Sequence, residues 1–198
     1  MKLYYAPGAC SLSPHIALCE AGLKFEAVKV DLRAKKAGDE DFLAVNPKGY
    51  VPALRLDDGQ VLTEGPAIVQ YVADQKPDSG LAPKAGSVER YRLQEWLNFI
   101  STELHKQFSP LFNPALPDAG KDIFKANIAK RLDWLNKQLE GKQYLAGDKF
   151  TVADGYLFVI LRWAKGMKME LPAAVSAFFD RVAARPKVAE ALKAEGLS

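Results

Sequence analysis

Residues 1–18 read MKLYYAPGACSLSPHIAL, and the order of residue characters along them sets the fold. The run from Lys2 to Tyr5 is short, apolar and aromatic, and it is closed by Pro7 and Gly8, so it predicts a β-strand ending in a loop. Behind the loop, Ser13 and Pro14 give a helix-start signal, a capping serine with proline in the first turn, where a missing N–H is tolerated. The helix is predicted to run to about Gly22. Cys10 falls between strand and helix, where unpaired amides and the positive end of the helix dipole favour a thiolate. It is the leading candidate for chemistry, set against the plainer alternative of a small buried residue.

Downstream, Phe25 to Val30, Ala53 to Leu56 and Val61 to Thr63 also have strand character, with a short helix over Asp39 to Val45 between them. Asp57, Asp58 and Gly59 form a hairpin turn, and Glu64 to Gln75 shows helical spacing at Ile68, Val72 and Gln75. The resulting order, β-α-β-α-β-β-α, fits a mixed sheet whose N-terminal strands are parallel, because a helix fills the crossover. This is a thioredoxin-like arrangement. The segment KPDSGLAPKAG, residues 76–86, concentrates structure-breaking residues. Beyond it the pattern is wholly helical: Leu93, Leu97, Ile100, Leu104 and Phe108 form one apolar stripe, and Ile128, Leu132, Leu135 and Leu139 another. Thr151 to Asp154 reads as a capping-box variant at the start of a buried helix, and Pro172 and Pro186 suit the first turns of two more. The fold class is therefore α/β plus all-α: a thioredoxin-like domain over 1–76, a linker over 77–86, and a helical bundle domain over 87–198.

The chain has 198 residues, 48% of them hydrophobic, enough for a sizeable core. Its 27 basic and 24 acidic residues are mixed along the sequence, so no nucleic-acid partner is expected. The best apolar run, Val152 to Leu161, is short and carries Asp154 and Gly155, so no membrane span is expected either. The N-terminus lacks a cleavable leader pattern, and a cytoplasmic protein is expected. Two cysteines nine positions apart make neither a disulfide framework nor a zinc pattern, and no metal is expected. Cys19 lies in the first helix, roughly 13 Å from Cys10 by helical rise, and is read as core.

Four other groups carry possible chemistry. Val51-Pro52 precedes a strand, where a cis bond would turn backbone polar groups toward a ligand, as this proline does opposite the helix-start thiol in thioredoxin-like folds. Glu64-Gly65-Pro66 opens a helix whose free amides can bind a carboxylate while Glu64 takes an ammonium group; a charge-assisted helix start without ligand is the alternative. Asn98, Thr102 and His105 follow i, i+4, i+7 spacing, a polar stripe that is either solvated or functional, with His105 able to hold a thiolate or move a proton. Tyr4 and Tyr5 point to opposite faces of the first strand, so that one could reach the site and support a thiolate, but structural roles are the favoured reading for both.

Taken together, MKLYYAPGACSLSPHIAL, VNPKGYVPAL, LTEGPAIVQY, WLNFISTELHK and FTVADGYLFVILRW resemble bacterial beta-class glutathione S-transferases over the whole chain. The resemblance implies a glutathione transferase, active in detoxification, with glutathione as co-substrate and no permanently bound cofactor. It also implies a small hydrophobic electrophile held against the helical domain, and a homodimer. It places Cys10 by the glutathione sulfur, Lys35 by the peptide, Val51 and Pro52 against the cysteinyl backbone, and Glu64 and Gly65 at the γ-glutamyl end. Asn98 and the segment Thr102, Glu103 and His105 fall on the helical side, and His105 joins Cys10 as a catalytic candidate. Some members have serine at the position of Gly65, so only a backbone contact is implied there. Thiol–disulfide exchange through Cys10 is a second possible activity, because no second cysteine is placed to resolve a mixed disulfide and an external thiol must do so. Two readings of another class stay open: a non-catalytic binding module, and a storage protein whose Phe108, Phe112 and Trp163 line an apolar cleft.

Overall fold

The structure is a computed structural model in which residues 1–197 are described. The chain divides into two compact units, Met1–Ala82 with the described residues from Ala184 onward, and Pro83–Ala183. The first unit is built on a four-stranded sheet, β1 (Lys2–Tyr5), β2 (Glu26–Lys29), β5 (Ala53–Arg55) and β6 (Val61–Thr63), in the order β2-β1-β5-β6. β1 runs parallel to β2, with Tyr4 opposite Val28, and antiparallel to β5, with Tyr4 opposite Ala53. A parallel neighbour needs a crossover, and α1 (Leu12–Ala21) supplies it. α1 is apolar nearly all round and correspondingly buried, packed on α3 (Gly65–Gln75) and α9 (Pro186–Ala194).

α1 starts earlier than the Ser13-Pro14 signal predicts. Ser11 occupies the N-cap position without capping, because its hydroxyl is turned back into the preceding loop, accepting from the Ala6 N–H at 3.1 Å. Ser13 is thereby drawn inside the helix and buried. Gly22 ends α1 in the left-handed conformation at φ 65°, as expected of a helix-terminating glycine. The helix expected over Asp39 to Val45 is also shorter. Gly38, at φ 62°, folds β3 (Lys36–Ala37) onto β4 (Glu40–Asp41), and only α2 (Phe42–Val45) remains, capped by Asp41 accepting from the Leu43 N–H at 3.1 Å. Phe42 and Val45 join Tyr4, Val30, Ala37, Val51 and Ala53 in one core cluster.

Two side-chain networks tie the C-terminal segment into this unit. Arg185 makes a two-pronged bond to Glu20 of α1, at 2.6 and 2.8 Å. Glu195, at the end of α9, is buried; its carboxylate lies 2.8 Å from His15 Nδ1 and accepts from the Gly8 N–H at 2.9 Å.

The second unit is helical. α4 (Val88–Phe99) begins at Ser87, whose hydroxyl accepts from the Arg90 N–H at 3.2 Å. A π-helical turn over Ile100–His105 follows, then α5 (Lys106–Phe108), α6 (Asp118–Leu139), α7 (Val152–Gly166) and α8 (Ala173–Ala183). Both predicted leucine-rich stripes are buried throughout. α7 is buried almost all round, and its first turn is fixed by the Asp154 carboxylate, which accepts from Thr151 N–H (2.7 Å), Thr151 Oγ1 (2.8 Å) and Leu145 N–H (2.8 Å). Among the described residues, no helix is long and apolar enough to cross a membrane.

Candidate active site

Cys10 sits in the loop that joins β1 to α1. That loop is held as a compact turn: Ala9 N–H reaches Ala6 O and Leu12 N–H reaches Ala9 O, both at 3.0 Å, while Ser11 spans back to Ala6. Gly8 takes φ 71°, a value that L side chains rarely adopt. The Cys10 thiol, partly exposed, donates to the Val51 carbonyl at 3.3 Å. Val51–Pro52 is cis, and the bond from the Cys10 thiol to the Val51 carbonyl sets the helix start beside it. The tertiary fold brings residues 41 positions apart into contact here.

Glu64 precedes α3 with φ 68°, outside the regions comfortable for a side chain, and its carbonyl accepts from Ala67 and Ile68 to begin the helix. Its exposed carboxylate gathers the Lys48 ammonium and, at 2.9 Å, the Tyr50 hydroxyl. That contact with Glu64 raises the affinity of both partners for their protons. At Gly65 an added Cβ would meet only Pro52 Cγ, at 4.0 Å, so a side chain has room there. Lys35 lies in the same unit with φ 54°, and its ammonium donates to Gly49 O at 2.7 Å.

Tyr4 and Tyr5 are both buried. The Tyr4 hydroxyl donates to Glu40 at 2.8 Å, and burial together with that bond pushes the phenol up to about 12. Glu40 is in turn held below the usual carboxylate range, first by Arg55 and then by Tyr4. Neither tyrosine is a group that ionises near neutrality. Cys19 is buried, and desolvation raises its thiol to about 11.

In the second unit the expected polar stripe divides. Asn98 and Thr102 lie on the exposed face, with the Thr102 hydroxyl donating to Asn98 O at 3.1 Å. Glu103 turns to α6 and pairs with Arg131 at 2.6 Å. His105 turns to α7, its Nδ1 lying 2.6 Å from the Tyr156 hydroxyl and its ring edge-on to Trp163 at 5.0 Å. Phe108 and Phe112 pack edge-on against the same tryptophan, at 5.9 and 5.3 Å. The π-turn separates these directions. The Lys106 N–H reaches Ser101 O, five residues back, which under-winds the helix and rotates His105 away from its α-helical position. Nothing in the local periodicity signals that turn. Tyr156, on the helix that the sequence predicts to be buried, is the polar partner that the sequence pattern missed.

The described residues hold no cluster of three or more metal-ligating side chains. The thiol at a helix start, bonded to the carbonyl that precedes a cis proline, and the sheet order β2-β1-β5-β6 mark a thioredoxin-like domain. Comparison with known proteins agrees. The family model for the glutathione S-transferase N-terminal domain matches residues 8–75, and that for the C-terminal domain matches residues 102–195. The chain is 50% identical to glutathione S-transferase GstA of Escherichia coli O157:H7, with all of both chains covered. Among solved structures, the ternary complex of BphK, a bacterial glutathione S-transferase, shares 60% identity over all of both chains at a TM-score of 0.97. The beta-class enzyme of Sphingomonas chungbukensis shares 51%, likewise over all of both chains, at 0.96. The chain thus belongs to the glutathione S-transferase family and, within it, to the bacterial beta class.

Proposed function

We propose that the protein binds glutathione on its first unit and transfers the glutathionyl sulfur to small apolar electrophiles. The observation that carries this reading is the Cys10 thiol at the start of α1, bonded to the carbonyl of the residue before the cis proline. Val51 and Pro52 offer backbone to the cysteinyl unit. Glu64 offers a carboxylate to the γ-glutamyl ammonium, which then competes with Lys48 for it; Gly65 offers an amide at the N-terminus of α3, where the helix dipole favours a carboxylate. Lys35 supplies positive charge toward the peptide once its bond to Gly49 is exchanged. The family resemblance assigns Asn98, Thr102, Glu103 and His105 to glutathione as well, and within the helical unit the cluster of Trp163 with the exposed Phe112 offers an apolar surface for the electrophile. In conjugation the thiolate attacks an electrophilic carbon, a C–S bond forms, the leaving group departs with the bonding pair, and the thiol proton goes to water.

Thiol exchange is a second reading, supported by the exposed part of Cys10 and by the burial of Cys19, which keeps the second thiol from resolving a mixed disulfide. Attack of the Cys10 thiolate on the glutathionyl sulfur of a mixed disulfide RS–SG forms a protein–glutathione disulfide and expels the thiol RSH; a glutathione thiolate then attacks the bound glutathionyl sulfur, frees Cys10 and leaves as glutathione disulfide. Intact mass after incubation with oxidised glutathione, compared between wild type and Cys10→Ala alongside a conjugation assay, separates the readings. An adduct on the wild type alone, with conjugation lost or redirected in the variant, supports a thiol role. No adduct with unchanged activity removes Cys10 from the chemistry. A cytoplasmic homodimer active in detoxification completes the reading on the strength of the family resemblance. A solution mass of twice 21.8 kDa is the expected result of light scattering.

A further inference from the structure

We infer that Tyr156 is a positioning residue for His105, its phenol holding the imidazole as the neutral tautomer protonated on Nε2. The inference rests on the reading of His105 as a residue of the glutathione site. Three observations fix the ring. The π-turn directs His105 at α7, where Nδ1 and the Tyr156 hydroxyl are 2.6 Å apart. Tyr156 and Trp163 stand edge-on to the imidazole, at 84° and 66°, which restrains its plane. Tyr156 is itself 3% exposed, on a helix whose first turn is anchored by Asp154 two residues earlier, so its hydroxyl has little freedom to move.

The direction of the bond follows from donor and acceptor strength. A phenol is a good O–H donor and a poor acceptor, since its lone pair is delocalised into the ring; the unprotonated imidazole nitrogen is a good acceptor. The phenol therefore donates to Nδ1, and the single proton of the neutral ring resides on Nε2. His105 then presents an N–H, a donor that stabilises an anionic glutathione sulfur, and it does not present a lone pair able to remove the thiol proton. Phenylalanine at position 156 keeps the edge-on ring and removes the phenol O–H that donates to Nδ1.

The chain has only two histidines, which makes the test direct. With 15N-labelled histidine, long-range proton–nitrogen correlation at neutral pH is expected to show His105 with an unprotonated Nδ1 and a protonated Nε2, the assignment coming from His105→Gln. In Tyr156→Phe the two nitrogen shifts are expected to move toward a tautomer average. In conjugation kinetics kcat is expected to fall roughly tenfold, with KM for glutathione changed much less. The same substitution in a His105→Gln background is expected to cost nothing further. A proton on Nδ1 in the wild type, an unmoved tautomer in Tyr156→Phe, or additive losses in the double variant each overturn the inference. Full activity of His105→Gln overturns instead the reading of His105 on which it rests, whatever the tautomer.

Discussion

The two thiols show how environment divides one residue type into two behaviours. Cys10 is partly exposed at the start of a helix, whereas Cys19 is buried and its thiol is pushed up to about 11, first by desolvation and then by Glu190. At pH 7.5 an alkylating reagent should modify Cys10 and spare Cys19 until denaturant is added. Peptide mapping that finds Cys19 labelled as fast as Cys10 in the folded protein would contradict this. Glu64 makes the opposite point, for it holds an uncomfortable backbone while its carboxylate collects Lys48 and Tyr50. Glu64→Gly should relieve φ 68° and raise stability by about 1 kcal/mol in urea titrations, while weakening glutathione binding at least tenfold. A variant that is both less stable and unimpaired in binding would refute the proposed trade.

At the scale of the element, the first turn of α7 depends on one carboxylate serving three donors. Asp154→Ala leaves two buried amides and the proton of the Thr151 hydroxyl without an acceptor and should cost about 2–4 kcal/mol, read from the denaturation midpoint. Its pH behaviour is less intuitive. Burial outweighs the hydrogen bonds and raises Asp154 from 3.8 to about 6. A group raised on folding stabilises the folded state fully below its unfolded value and loses that contribution as pH rises through the folded one. The advantage of wild type over Asp154→Asn should therefore shrink between pH 4 and pH 7. Midpoints that diverge over that range would show that the hydrogen bonds, not desolvation, dominate.

Across the whole molecule, the C-terminal helix returns to the first unit and is fastened at both ends, by Arg185 to Glu20 and by Glu195 to His15 and Gly8. The Glu195 bond reaches the loop that carries Cys10, so a residue near the end of the chain helps hold the N-terminal thiol loop. Removing one member of a buried pair leaves the other without its partner. Glu195→Ala should thus destabilise by about 3–5 kcal/mol in chemical denaturation, whereas Lys187→Ala, whose pair with Glu190 is exposed, should change stability by less than about 1 kcal/mol. Equal effects of the two would mean that burial does not set the worth of these contacts.

Features that depend on neighbours along the chain can be read from the residues directly. The strand at Lys2–Tyr5, the Asp57–Gly59 turn, the Thr151 helix start and the two buried leucine-rich stripes are all written in periodicity and capping residues a few positions apart. Cys10 and Glu64 were legible for the same reason, since each sits beside a helix start. Long-range packing sets the rest. It brought the Val51 carbonyl to Cys10, Gly49 to Lys35, Arg131 to Glu103 and Tyr156 to His105, and it gave α9 to the first unit. These pairings join residues from 14 to 51 positions apart, and α9 meets α1 across most of the chain. Their geometry is set by which packed surfaces exclude water together, and no local pattern of residues records that.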